Sequence, residues 1–168
     1  EIDRRPSALK RSRLAEWLGL YARRRGAVAP SGWQTLPGVV RRDREVEWLT
    51  TGAAVWRRRL FEAHGFDEFY GSYSYLEDLD FSYGVSRSQR LVIVAAAGVH
   101  HYPSKRGRVS LYRFGLMEVR NRLHFVRKHG LSVARCRAAL AIRMSMSLGM
   151  GLVMPWRGGL KRAWGNVV

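Results

Sequence analysis

The chain has 168 residues, enough for one domain with a real hydrophobic core, and its 46% apolar and 11% aromatic composition excludes a disordered polymer. Lys and Arg outnumber Asp and Glu 30 to 13, a formal net charge of +17, and 26 of those cations are Arg. A field of that sign attracts polyanions, whether nucleic acid, anionic lipid head groups or phosphorylated substrates. The single cysteine, Cys136, excludes an intramolecular disulfide and any multi-cysteine zinc site, which fits a reducing compartment. The chain begins at Glu1 without an initiator Met, so a piece of a longer protein is expected, and its charged start is not a signal peptide.

In chain order, Leu14, Trp17, Leu18 and Tyr21 recur at helical spacing with Arg on the other faces. They predict a basic amphipathic helix to about Arg25. Gly26, Pro30, Gly32, Pro37 and Gly38 then mark a loop. Glu45 to Leu49 is a strand candidate, and Arg57 to His64 a short helix with Gly65 suited to a left-handed stop. An aromatic loop of Tyr70, Tyr73 and Tyr75 leads into a helix beginning near Glu77, with Leu76, Leu79 and Tyr83 turned inward. Leu91 to Ala95 reads as a buried strand. Val109, Tyr112, Leu116, Val119, Leu123 and Val126 follow a 3,4,3,4,3 spacing, a long helix that stops near Gly130. Met144 to Met154 is uncharged and mainly apolar but only 11 residues long, short of the ~20 a spanning helix needs. Two readings of this tail stay open, a helix lying in the head-group region and a core-packing helix with a basic outer face. The divisions are thus residues 1–36, a basic helix and loop, 37–130, an α/β unit, and 131–168, terminal helices.

The residues that carry chemistry run from Val46 to Arg127. They are Val46-Glu47-Trp48-Leu49-Thr50-Thr51-Gly52, Arg57-Arg58, Gly65-Phe66-Asp67-Glu68, Glu77-Asp78-Leu79-Asp80-Phe81 and Val99-His100-His101-Tyr102-Pro103-Ser104, with Arg120-Asn121 inside the long helix. Carboxylates in the first turn of a helix face its positive end and free N–H groups, which keep them ionised and fit to accept a proton. Asp80, two positions after Asp78, cannot share its helix face and reads as structural. Plain helix capping is the alternative for the whole acidic run.

In order and spacing these motifs resemble the second half of family 2 glycosyltransferases of the GT-A fold, over roughly half of the chain. The resemblance implies an α/β fold, the C-terminal acceptor-side portion of a Rossmann-like domain, with a short mixed sheet continued in a half not present here. It implies an inverting transfer from a nucleotide-diphosphate sugar to a saccharide or lipid-linked acceptor of an envelope polymer. Asp78 would be the catalytic base, with Glu77 contacting the acceptor or orienting the loop. Trp48 would stack on a sugar ring at the acceptor-side strand, and Gly52 would let backbone approach the substrate. Arg106 and Arg108 would close over the donor diphosphate. His101, or alternatively His100, would complete the shell of a divalent metal, Mn²⁺ or Mg²⁺, held mostly by the other half. For Trp48, the Arg pair and the histidines, ordinary structural roles stay open. Asp78-Leu79-Asp80 also spells the metal-binding Asp-x-Asp, but no βαβ array precedes it and no glycine-rich phosphate loop occurs. His64, His124 and His129 are assigned nothing. The expected location is cytoplasmic, peripheral at an anionic membrane surface. The rival reading is a basic nucleic-acid-binding module, for which no zinc spacing, RNP-like motif or clean recognition helix is found.

Overall fold

The computed structural model describes residues 12–71, 73–100, 102, 109–153 and 159–167. Six helices and two strands are formed among them: α1 Arg13–Trp17, β1 Arg44–Val46, α2 Arg59–Ala63, α3 Glu77–Ser86, β2 Leu91–Ile93, α4 Leu111–Lys128, α5 Val133–Val153 and α6 Gly159–Val167. Short 3₁₀ turns add Thr51–Ala53 and Glu68–Tyr70.

The basic helix expected to reach Arg25 ends at Trp17, because Gly19 takes a left-handed conformation (φ +67°) and breaks the run. Of its expected apolar face only Tyr21 is buried. Leu14, Trp17 and Leu18 are exposed, Trp17 to 78%, while Ala15, Leu20 and Tyr21 enter the core. α2 is left through extended backbone at His64 (φ −135°), and Gly65 is not left-handed.

β1 and β2 pair antiparallel with Val46 opposite Leu91, so the described sheet is a two-stranded antiparallel ribbon and not the mixed sheet expected. Only one face of that ribbon is covered. Val46 and Leu91 pack on Phe81 and Val85 of α3, whereas Val92 and Val94 stay exposed, contrary to the buried strand read from their apolar run. α3 begins at Glu77, where a helix start was expected, and α4 lies within the span that its apolar spacing and Gly130 indicate.

The larger core joins Ala15 and Trp33, Trp48, Leu79 and Tyr83, Phe125 and Val126 of α4, and Cys136, Ala139 and Leu140 of α5. Described residues from all three of the expected divisions thus contribute to this core. Burial pushes the Cys136 thiol up to about 11, so it is a packed, unreactive side chain.

The inward face of α4 is largely polar. Arg122 is buried over the Trp33 ring, 4.3 Å from its centroid, and donates to the Gly32 carbonyl at 2.6 Å and Gln34 Oε1 at 2.7 Å. Buried Glu118 accepts from Arg143 of α5 at 3.2 Å and from Arg162 of α6 at 2.9 Å. α6 lies directly on α4, where Gly165 faces the Tyr112 carbonyl and Gly115 the Arg162 carbonyl, with no room at either position for a Cβ. Among the described residues no helix is long and apolar enough to cross a membrane.

Candidate catalytic site

The site grows out of the turn that precedes α3. Gly71, Ser74 and Leu76 all have positive φ, +64°, +52° and +76°. For Ser and Leu this costs on the order of 1 kcal/mol each, since Cβ crowds the following carbonyl. Leu76 occupies the N-cap position of α3, where a Ser, Thr, Asp or Asn in extended backbone is usual. No side chain caps the helix there. The strain is held by packing, because the Leu76 side chain is buried in the main core. Residues fixed in sparsely populated backbone regions gather at functional sites, so this turn draws attention to the carboxylates just after it.

Asp78 follows two residues later. Its Oδ1 accepts from the Leu79 N–H at 2.8 Å, and its carbonyl accepts from Ser82 Oγ at 2.6 Å. Ser82 Oγ also accepts from the Leu49 N–H at 3.0 Å, which ties the segment after β1 to α3. Burial raises the Asp78 carboxyl above the ordinary range, against the lowering effect of the Leu79 amide, and the Glu77 charge adds to the rise. The position at a helix start therefore does not hold it low, as expected from the dipole, because desolvation outweighs the N–H groups. A raised carboxylate is the stronger proton acceptor.

Asp80 has the opposite surroundings. Its side chain is 2% exposed, and it accepts from Lys128 Nζ at 2.6 Å and pairs with His129 Nε2 at 2.8 Å. Burial pushes this carboxyl up too, but the hydrogen bonds from His129 and Lys128 outweigh it and leave it below its ordinary value. Lys128 bridges on to Asp67 Oδ2 at 2.9 Å, which His124 Nε2 reaches at the same distance. These two hydrogen bonds, His124 foremost, hold Asp67 far below the usual carboxylate range. Asp67 Oδ1 accepts from the Phe69 N–H at 3.0 Å and so starts the 3₁₀ turn beneath Tyr70. His124 stacks on Phe69, ring centroids 3.7 Å apart.

His124, Lys128 and His129 were assigned no role from sequence, yet they join the Gly65-Phe66-Asp67-Glu68 and Asp78-Leu79-Asp80 motifs to α4. A signal for them exists: positions 124 and 128 share one face of a helix, and two aspartate motifs precede them.

A cavity of about 300 Å³ opens between this loop and α3, lined by Phe66, Asp67, Glu68, Gly71 and Glu77. Glu77 faces it directly, with Asp78 next in the chain. A larger cavity of about 460 Å³ is lined by Leu49, Trp56, Leu60, Val85 and Leu91, and neither Glu77 nor Asp78 lines it.

The other sequence candidates are not gathered here. Trp48 is 4% exposed and donates Nε1–H to the Thr35 carbonyl at 2.9 Å, so its ring is sealed in the core and offers no stacking face. Gly52 sits in the exposed 3₁₀ turn, where among the described residues an added Cβ would meet only Thr50 Oγ1 at 3.8 Å, an ordinary contact. His100 is exposed in irregular backbone beyond β2, its ring 6.5 Å from that of Tyr102. His101, Arg106 and Arg108 lie outside the described residues. Among the described residues no group of three or more His, Cys, Asp or Glu side chains could hold a metal ion. Among the described residues no ion pair or hydrogen bond joins His100 to a carboxylate, and Asp67 and Asp80 are already bonded to Lys128, His124 and His129. His100 alone is no shell for Mn²⁺ or Mg²⁺, and His101, the residue expected to complete one, lies outside the described residues.

No protein-family model matches the chain, and the comparisons with curated proteins and with solved structures likewise gave no match.

Proposed function

We propose that this chain is the acceptor-side part of an inverting sugar transferase resembling family 2 glycosyltransferases, with Asp78 as general base. The observation that carries the reading is the contrast within one acidic run. Asp80 is bonded to Lys128 and His129, whereas Asp78 has a raised carboxyl, no cation bonded to it among the described residues, and a strained turn before it. In the proposed reaction the Asp78 carboxylate takes the proton of an acceptor hydroxyl. The freed oxygen attacks the anomeric carbon of the donor, and the nucleotide diphosphate leaves with the electron pair of the broken bond. Glu77 lines the adjoining cavity and is suited to accept from a second acceptor hydroxyl, and Phe66 offers a ring to the apolar face of a saccharide. The sugar-nucleotide half and any divalent metal it holds are proposed to lie outside these 168 residues.

The test is turnover of the complete protein with its nucleotide-sugar donor and acceptor. Asp78→Asn should lower it by ~10²–10⁴-fold with donor affinity nearly unchanged. Retention of more than about a tenth of the original turnover would remove Asp78 as the base.

The same reading places the enzyme at the cytoplasmic face of an anionic membrane, where a lipid-linked acceptor resides. Leu148 and Leu152 near the end of α5, and Leu160 and Trp164 of α6, are exposed beside Lys161. Such helices bind lipid surfaces by apolar contact and charge together. The chain should float with vesicles containing acidic lipid and release as salt is raised. Equal flotation with neutral vesicles in high salt would contradict this placement.

A further inference from the structure

Tyr75, which joins the two left-handed residues Ser74 and Leu76, has a carbonyl with a long-range partner. Asn121 of α4 donates Nδ2–H to it at 2.8 Å across 46 positions of sequence. Asn121 is buried, and it stands between Glu118 and Arg122, both fixed by their own ionic or carbonyl partners. The Phe114 ring, two turns earlier on the same helix, packs on the Tyr75 ring with centroids 4.7 Å apart.

The consequence for the first turn of α3 follows from where each N–H goes. Glu77 N–H donates to the Ser74 carbonyl at 3.1 Å, and Asp80 N–H makes the first regular helical bond, to the Leu76 carbonyl at 2.9 Å. One more turn of regular helix would send the Leu79 N–H to the Tyr75 carbonyl. Instead the left-handed Leu76 swings that carbonyl toward Asn121, and the Leu79 N–H is free to hold Asp78 Oδ1. The two hydrogen bonds thus replace a single helical one.

We propose that Asn121 is the positioning residue of the candidate base: by taking up the Tyr75 carbonyl it keeps Leu76 left-handed and leaves the Leu79 N–H to orient the Asp78 carboxylate. Asn121 touches no substrate and acts through the turn. The inference rests on the reading of Asp78 given above for its importance, but its geometry stands on its own.

The experiment uses the full chain and Asn121→Leu, which keeps side-chain size and removes the donor. Hydrogen exchange of the Leu79 amide and the ¹³C titration of the Asp78 side-chain carboxyl are followed by NMR, with the Leu140 amide in α5 as the reference for global opening. Leu79 should exchange at least about tenfold faster, the scale expected when a buried carbonyl loses its donor, with Leu140 unchanged. The Asp78 titration should move down toward the ordinary aspartate value as the turn opens to water. If Asn121→Leu does not fold, the same measurements on Asn121→Ser decide, since serine is too short to reach the carbonyl. Unchanged Leu79 exchange and Asp78 titration in either folded variant overturn the proposal. A loosened turn together with an Asp78→Asn enzyme that keeps its turnover would leave the clamp standing and remove the base, so the two failures are distinguishable.

Discussion

Asp78 and Asp80 lie on one turn of one helix and meet opposite surroundings. The turn at Asp78 is built from backbone: strained residues before it, the Leu79 amide on its oxygen, and no cation bonded to it among the described residues. The pocket at Asp80 is built from side chains, with Lys128 and His129 on its two oxygens and Asp67 and His124 continuing the chain of contacts. Both carboxyls feel burial, and they shift in opposite directions because, among the described residues, only Asp80 has the hydrogen bonds of His129 and Lys128 to outweigh it. The paired carboxylate ties α3 to α4, and the other is the one proposed as the proton acceptor. That is the division expected where one of two neighbouring acids does chemistry.

Stability measurements can break this contrast. Asp80→Asn should destabilise by about 1–3 kcal/mol, since it removes the buried charge that Lys128 and His129 share, although half-exposed Lys128 keeps Asp67. The check is the denaturant midpoint of the variant at neutral pH, and a change under about 1 kcal/mol would mean that the network holds nothing together. Acid should act next, with a definite sign. The lowered carboxyls of Asp80 and Asp67 contribute stability above the ordinary aspartate value of about 4, lost as pH falls through their folded values. The wild-type melting temperature should therefore drop below pH ~4, and Asp80→Asn should flatten that drop. Asp78→Asn should have the smallest effect and the reverse sign. A raised carboxyl favours the folded state most when protonated, and this contribution is lost as pH rises through its folded value. At neutral pH the neutral amide should then leave stability unchanged or raise it by under about 1 kcal/mol. Equal losses for the two variants would erase the distinction.

The sequence made the helices legible and left their partners hidden. α3 and α4 could be placed because a start at Glu77 and a 3,4,3,4,3 apolar spacing are local signals. The inward face of α4 could not, because Glu118, Asn121 and Arg122 are polar and a hydrophobic count passes over them, although all three are buried. The ionic partners of Asp67 and Asp80 lie 48 to 61 positions away, and nothing local announces such a pairing. The apolar stripe of α1 misled in the opposite way, since Trp17 satisfies helical spacing and yet faces water. Leu91 to Ala95 read as a buried strand for its composition, but a ribbon of two strands with one covered face can bury only alternate residues.

The polar inward face of α4 has a consequence for how many ways this chain can fold. An apolar helix tolerates sliding along its neighbours, since one leucine replaces another at little loss. α4 has no such freedom. A slip by one turn, about 5.4 Å, would take Glu118 from Arg143 and Arg162, Asn121 from the Tyr75 carbonyl, and Arg122 from the Gly32 carbonyl at once. Each group would then be buried without a partner, and such penalties accumulate. The helix is thereby keyed to a single register, and the tail that supplies Arg143 and Arg162 is part of the lock.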